Sequence, residues 1–172
     1  PTTNEPDEIQ VDNFTNDSAM MIAYERALES KREDALFIDS LAETLAGTKG
    51  EKLSNDFGNY CKMFEFEEWP EFHKTWVAVR TRFIDDRIKE YTTSSTDSSR
   101  PPFAQVVNLG AGMDTRPYRL ECYSTFPNGT IDVDMAVINE GKQKIFEGPL
   151  HSYKAHCSVE TVDLDFLDEE NS

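Results

Sequence analysis

The densest chemical information in the chain lies in Gln105-Val106-Val107-Asn108-Leu109-Gly110-Ala111-Gly112-Met113-Asp114-Thr115-Arg116. A short apolar run leads straight into a two-glycine turn, the way a nucleotide-binding βα unit begins. Gly110 and Gly112 lack a Cβ, so the backbone there can bend sharply and lie against a small molecule. A pyrophosphate-binding dinucleotide fingerprint would need a third glycine at position 115, where this chain has Thr115. Hydride transfer with a nicotinamide cofactor is therefore disfavoured. Asp114 sets a carboxylate at the turn, which repels phosphate but suits a cation or hydroxyl groups. S-adenosylmethionine, with a sulfonium and an amino group and no pyrophosphate, meets that demand.

Two further acids fall where ligands of open α/β sheets are met, at the carboxyl ends of strands. Asp134 follows Gly110 by 24 positions, close to where an acid takes ribose hydroxyls. A carboxylate can accept from both vicinal hydroxyls at once, although the same residue would serve equally to cap the next helix. Asp163-Leu164 closes a later strand, where Asp163 could accept from an exocyclic amine while Leu164 packs on the ring. No metal site is expected. His156 and Cys157 are adjacent and so do not aim at one ion, and no CxxC or HxxxH spacing exists.

The elements that must position these residues fall into two parts. Residues 1–16 are polar, acidic and aperiodic, and read as a loose arm. Residues 17–92 read as helical. Asp17-Ser18 is a plausible cap ahead of Ala19, Met20, Ile22, Ala23, Ala27 and Leu28. A second helix carries Leu36, Phe37, Leu41, Ala42 and Leu45 and stops at Gly47, with more helix around Gly58. A long helix starts at Pro70 and runs to Tyr91, with Trp76, Val79, Phe83, Ile88 and Tyr91 as its apolar stripe and Asp85-Asp86 on the rest of its surface. The Thr/Ser-rich segment 92–102 is a linker. Beyond it, 103–172 changes period. Residues 104–109 read as a buried strand, 117–120 as a short helix, 130–134 as a strand, 137–146 as a helix, and 153–164 contains a third strand. That β-α-β-α-β order predicts parallel pairing.

Composition narrows the function further. Thirty-three acids against seventeen bases give a formal charge of −16, which disfavours nucleic acid and anionic membranes as partners. No apolar run is long enough to span a bilayer, and no secretory leader is expected. Three cysteines at irregular spacing imply no disulfide framework, so a reducing, cytoplasmic setting is expected.

The block Asn108-Leu109-Gly110-Ala111-Gly112-Met113-Asp114-Thr115-Arg116-Pro117-Tyr118-Arg119-Leu120 resembles the signature of the leucine carboxyl methyltransferase family. Arg26-Ala27-Leu28-Glu29-Ser30, Asp34-Ala35-Leu36-Phe37 and Arg80-Thr81-Arg82-Phe83-Ile84-Asp85-Asp86 resemble it too, and the likeness covers most of residues 17–168. The resemblance implies an α/β fold: a Rossmann-like parallel sheet, first half only, preceded by a helical lid. It also implies S-adenosylmethionine-dependent O-methylation of a carboxylate or small-molecule acceptor. Carried over, Gly110, Ala111 and Gly112 would lie under the methionine part with Asp114 beside them. Arg80 would pair with the methionine carboxylate, Asp134 would hold the ribose, and Asp163-Leu164 would frame the adenine. Arg116, Tyr118 and Arg119 are expected to brace the turn instead, and no catalytic base is identified.

Two departures qualify the transfer. Members acting on a protein C-terminus carry a Lys before the region matching Met21-Ile22-Ala23, and none stands here. Family chains also run well beyond a third strand, so this sequence is expected to be the N-terminal portion, without the fourth strand. A half-sheet has an unpaired edge, which would allow a homodimer. The alternative reading is a non-catalytic truncated fragment, an interaction or swapped subunit.

Overall fold

The computed structural model describes residues 11–93 and 103–166. Three helices come first: α1 (Val11–Ser30), α2 (Ala42–Met63) and α3 (Trp69–Thr93). Then follow β1 (Val106–Leu109), α4 (Arg116–Arg119), a 3-10 turn at Glu121–Thr125, β2 (Thr130–Asp134), α5 (Ala136–Glu147) and β3 (Val159–Asp163). The strands form one parallel sheet in the order β1-β2-β3, with Val106 opposite Thr130 and Asp134 opposite Asp163. The expected α/β order and parallel pairing are therefore observed.

Packing unites the helical part with the sheet. Ala23 of α1, Leu41, and Leu45 and Ala46 of α2 share one buried cluster with Met113, which follows the glycine bend, and with Leu150. A second cluster, Leu120, Tyr123 and Phe126, sits under Val106 and Ile88 and so ties α3 to β1. Among the described residues no helix is long and apolar enough to cross a membrane.

Several local expectations change. The first helix begins at Val11, so Asp17-Ser18 lies inside it and residues 11–16 of the expected arm are helical; residues 1–10 lie outside the described residues. Leu36 to Leu41 form a loop rather than the start of the second helix. Polar side chains hold that loop: Glu29 accepts from the Leu36 amide, Ser30 from the Asp39 amide, and Asp39 from the Leu41 amide. Gly47 kinks α2 at φ 56° and ψ −169°, and the helix resumes and runs to Met63. The linker expected over 92–102 starts later, since α3 includes Thr92 and Thr93; residues 94–102 lie outside the described residues.

Of the stripe expected to bury α3, only Ile88 packs inward among these positions; the rest is turned outward. Trp76, Val79, Phe83 and Tyr91 are exposed, and the buried positions are Val77, Ala78, Thr81 and Asp85. Both sets repeat at helical spacing, and the inward one wins because Asp85 meets two arginines there. β1 is likewise covered on one side only, with Val107 55% and Leu109 67% exposed. The 3-10 turn and α5 both cover the other face: Tyr123 and Phe126 pack near Val106, and Lys142 reaches Asp132.

Candidate functional site

A cavity of about 510 Å³ opens at the carboxyl ends of the strands, between the sheet, α1 and α3. β1 delivers the chain to its floor. Gly110 (φ 67°) and Gly112 (φ 50°) both take the left-handed conformation, which costs any residue with a Cβ about 1–2 kcal/mol. A Cβ built on Gly110 would meet no atom within 4 Å, so the bend faces open space. The amides of Gly110 and Ala111 donate to the Val133 carbonyl, which seats the bend on the end of β2.

Asp134 fastens the other side of the bend. Its Oδ2 accepts from the Gly112 amide at 2.7 Å and its Oδ1 from the Met135 amide at 2.8 Å. Each carboxylate oxygen has a second lone pair, so the group can accept further bonds from a molecule in the cavity it lines. The helix-capping reading does not hold, since α5 is capped at Met135 without a side-chain bond; Asp134 instead secures the bend and lines the cavity.

Behind the bend lies a buried ionic network that joins four segments of chain. Thr115, fully buried where a dinucleotide fingerprint would have glycine, donates to Asp39 at 2.7 Å and accepts from Arg119 at 3.2 Å. Arg26 of α1 donates to Asp39 at 3.0 Å and to the Met113 carbonyl at 2.6 Å. Asp85 of α3, 1% exposed, accepts from Arg116 at 2.8 Å and from two nitrogens of Arg119. Arg116 in turn donates to Asp114, whose other oxygen accepts from Asn108. Burial pushes the Asp114 carboxyl upward, but the Arg116, Lys142 and Arg26 charges outweigh it and hold the group below the usual aspartate range. Asp114 therefore stays ionised as a brace for the turn, although it also reaches the cavity wall. Arg116 and Arg119 brace the turn as expected, but Arg116, set outside the site from sequence, also lines the cavity, and Tyr118 stacks on Phe146 of α5.

Arg80 is different. It lines the cavity from α3, half-buried, and among the described residues no carboxylate pairs with it. Its guanidinium lies 4.3 Å from the ring centroid of Trp76. Burial and the nearby Arg116 and Arg26 charges lower its proton affinity more than the Glu25 carboxylate raises it.

Arg80, Gly110, Ala111, Gly112, Asp114 and Asp134 thus meet around one cavity. Asp163 and Leu164 do not line it: Asp163 accepts from Asn139 at 2.7 Å, and the Leu164 amide donates to the Asp134 carbonyl. The next two residues, Asp165 and Phe166, take that place in the wall. Sequence reasoning also passed over the cavity side chains Ser18, Ile22, Arg26 and Ile84. Arg26 left one signal, a charge at the spacing of the buried Ala23 and Ala27. Among the described residues no group of three His, Cys, Asp or Glu side chains could hold a metal ion.

Comparison with known proteins fits this arrangement. The sequence model described as leucine carboxyl methyltransferase matches residues 19–171. A protein of Streptomyces coelicolor is 34% identical over 158 residues, which cover 88% of this chain and 49% of that protein. One from Streptomyces avermitilis is 30% identical over 159 residues, covering 88% and 49%. One from Saccharopolyspora erythraea is 30% identical over 156 residues, covering 88% and 48%. All three carry the name "Putative S-adenosyl-L-methionine-dependent methyltransferase". The chain spans about half the length of these relatives.

Proposed function

The chain belongs to the leucine carboxyl methyltransferase family, and from that premise we propose that its cavity binds S-adenosylmethionine for methyl transfer to an oxygen acceptor. The observation that carries this reading is one cavity lined both by Arg80, a half-buried cation in no carboxylate salt bridge among the described residues, and by the bend at Gly110, where a Cβ would meet open space.

The residues present fit the cofactor part by part. Arg80 offers a planar donor fork to the methionine carboxylate. Gly110 leaves the space that a Cβ would fill, so the methionine chain can lie on the backbone. Asp134 has lone pairs for the ribose hydroxyls, and Asp165 with Phe166 supplies an acceptor and an aromatic face for the adenine. The bound cofactor supplies an activated methyl group on a sulfonium. The chain's own contribution is placement: a rigid floor and a fixed carboxylate anchor hold the donor in one orientation and keep water away. A carboxylate acceptor is already ionised at neutral pH and needs no general base, and a small molecule bearing such a group is the acceptor class we favour. No catalytic residue is assigned. An interaction subunit without cofactor would have no use for a cavity lined by Arg80, the glycine bend and Asp134 at the strand ends, which weighs against that alternative.

Calorimetric titration of the chain with S-adenosylhomocysteine tests the reading. Saturable binding that Arg80→Gln and Asp134→Asn each weaken is expected. An absence of saturable heat with the folded, unsubstituted chain would sink it.

A further inference from the structure

We propose that Trp76 is a positioning residue for Arg80: its indole face holds the guanidinium over the cavity and so sets the grip on a ligand carboxylate. The assignment rests on the cofactor reading above and extends it to a residue outside the cavity wall.

Arg80 needs some other restraint, because among the described residues no carboxylate bonds it, and Arg116 and Arg26 repel it more than Glu25 attracts it. An arginine side chain carries several free torsions, and a half-buried head without an anchor would spread over many rotamers. Trp76 lies one turn earlier on α3, and its ring lies 4.3 Å from the guanidinium carbon. The indole is itself held. His73 lies on the same helix face with its ring centroid 5.8 Å from that of Trp76, and the His73 ring packs at 5.3 Å from Phe57 of α2. Its Nδ1 sits 2.8 Å from the carboxylate of the buried Glu25 of α1. A column thus runs from α1 through His73 and Trp76 to Arg80, and its far end faces the ligand. This accounts for a large aromatic side chain left 44% exposed on the outward stripe of α3.

The test compares two nucleosides on the 172-residue chain. S-adenosylhomocysteine carries the carboxylate; 5′-methylthioadenosine lacks the whole amino-acid end. Trp76→Leu is expected to weaken the first by about two- to five-fold, the strength of a partly exposed cation–π contact, and to leave the second unchanged. Trp76→Phe keeps an aromatic face and recovers most of the loss. In an Arg80→Gln background, Trp76→Leu has no further effect, since the contact it removes is already gone. Equal weakening of both nucleosides, or a full Trp76→Leu loss persisting beside Arg80→Gln, overturns the positioning role and leaves the cofactor reading standing. Absence of S-adenosylhomocysteine binding to the unsubstituted chain overturns both.

Discussion

Asp85→Asn is the sharpest perturbation the network allows, because it removes one charge and almost no volume. The carboxylate is 1% exposed and accepts from Arg116 Nε at 2.8 Å and from Nη1 and Nη2 of Arg119. Those two side chains are 14% and 9% exposed, so water cannot replace the lost charge. An asparagine can keep bonds to its single carbonyl oxygen, but it presents an amide donor where the second oxygen stood, facing a donor. Breaking such a buried pair by removing one partner costs about 3–5 kcal/mol. For a domain of this size that corresponds to a fall in melting temperature of about 6–20 °C. The neighbouring Asp86 supplies the control. It pairs with Arg82 on the same helix at 2.7 Å, with both side chains at least 41% exposed, so Asp86→Asn should cost at most about 0.5 kcal/mol. Urea unfolding at neutral pH, with unchanged m-values, measures both. If the two substitutions differ by less than about 1 kcal/mol, the network is not what fastens α3 to the bend and the argument fails.

Two other outcomes follow from the same geometry. Gly110→Ala should lose about 1–2 kcal/mol of stability from its left-handed backbone alone, since the added methyl meets no protein atom. It should also weaken S-adenosylhomocysteine in calorimetry, and unchanged affinity would mean the ligand does not lie on the bend. Asp114 has a folded pKa below its unfolded value, so its contribution is complete above about pH 4 and is lost as pH falls through the lower folded value. The stability gap between the parent and Asp114→Asn should therefore be widest near neutrality and shrink in acid. A gap constant across that range would show that the charge is not stabilised by Arg116.

The sequence by itself determined the order of elements and the place of the bend. β2 at 130–134 coincides with its alternating Thr130-Ile131-Asp132-Val133-Asp134 run, and α5 lies within one residue of its expected ends. These are local properties: side-chain period, and glycines at backbone angles other residues avoid. Parallel pairing followed from the alternation of strands with helices, and the family signature from one contiguous block. The bend residues Gly110, Ala111, Gly112 and Asp114 were legible for that reason, Asp134 from its place at the end of a strand, and Arg80 only through the family resemblance. Tertiary structure decided which charges turn inward. Asp85 and Asp86 are indistinguishable in sequence, yet one is buried and the other solvated, because the partners of Asp85 lie 31 and 34 positions away. The same long-range pairing turned the aromatic stripe of α3 outward, buried Thr115 against Asp39 across 76 positions, and placed Asp165 and Phe166 rather than Asp163 and Leu164 in the wall. A charge enters a core only where an opposite charge from elsewhere in the chain meets it, and that meeting is a property of the fold.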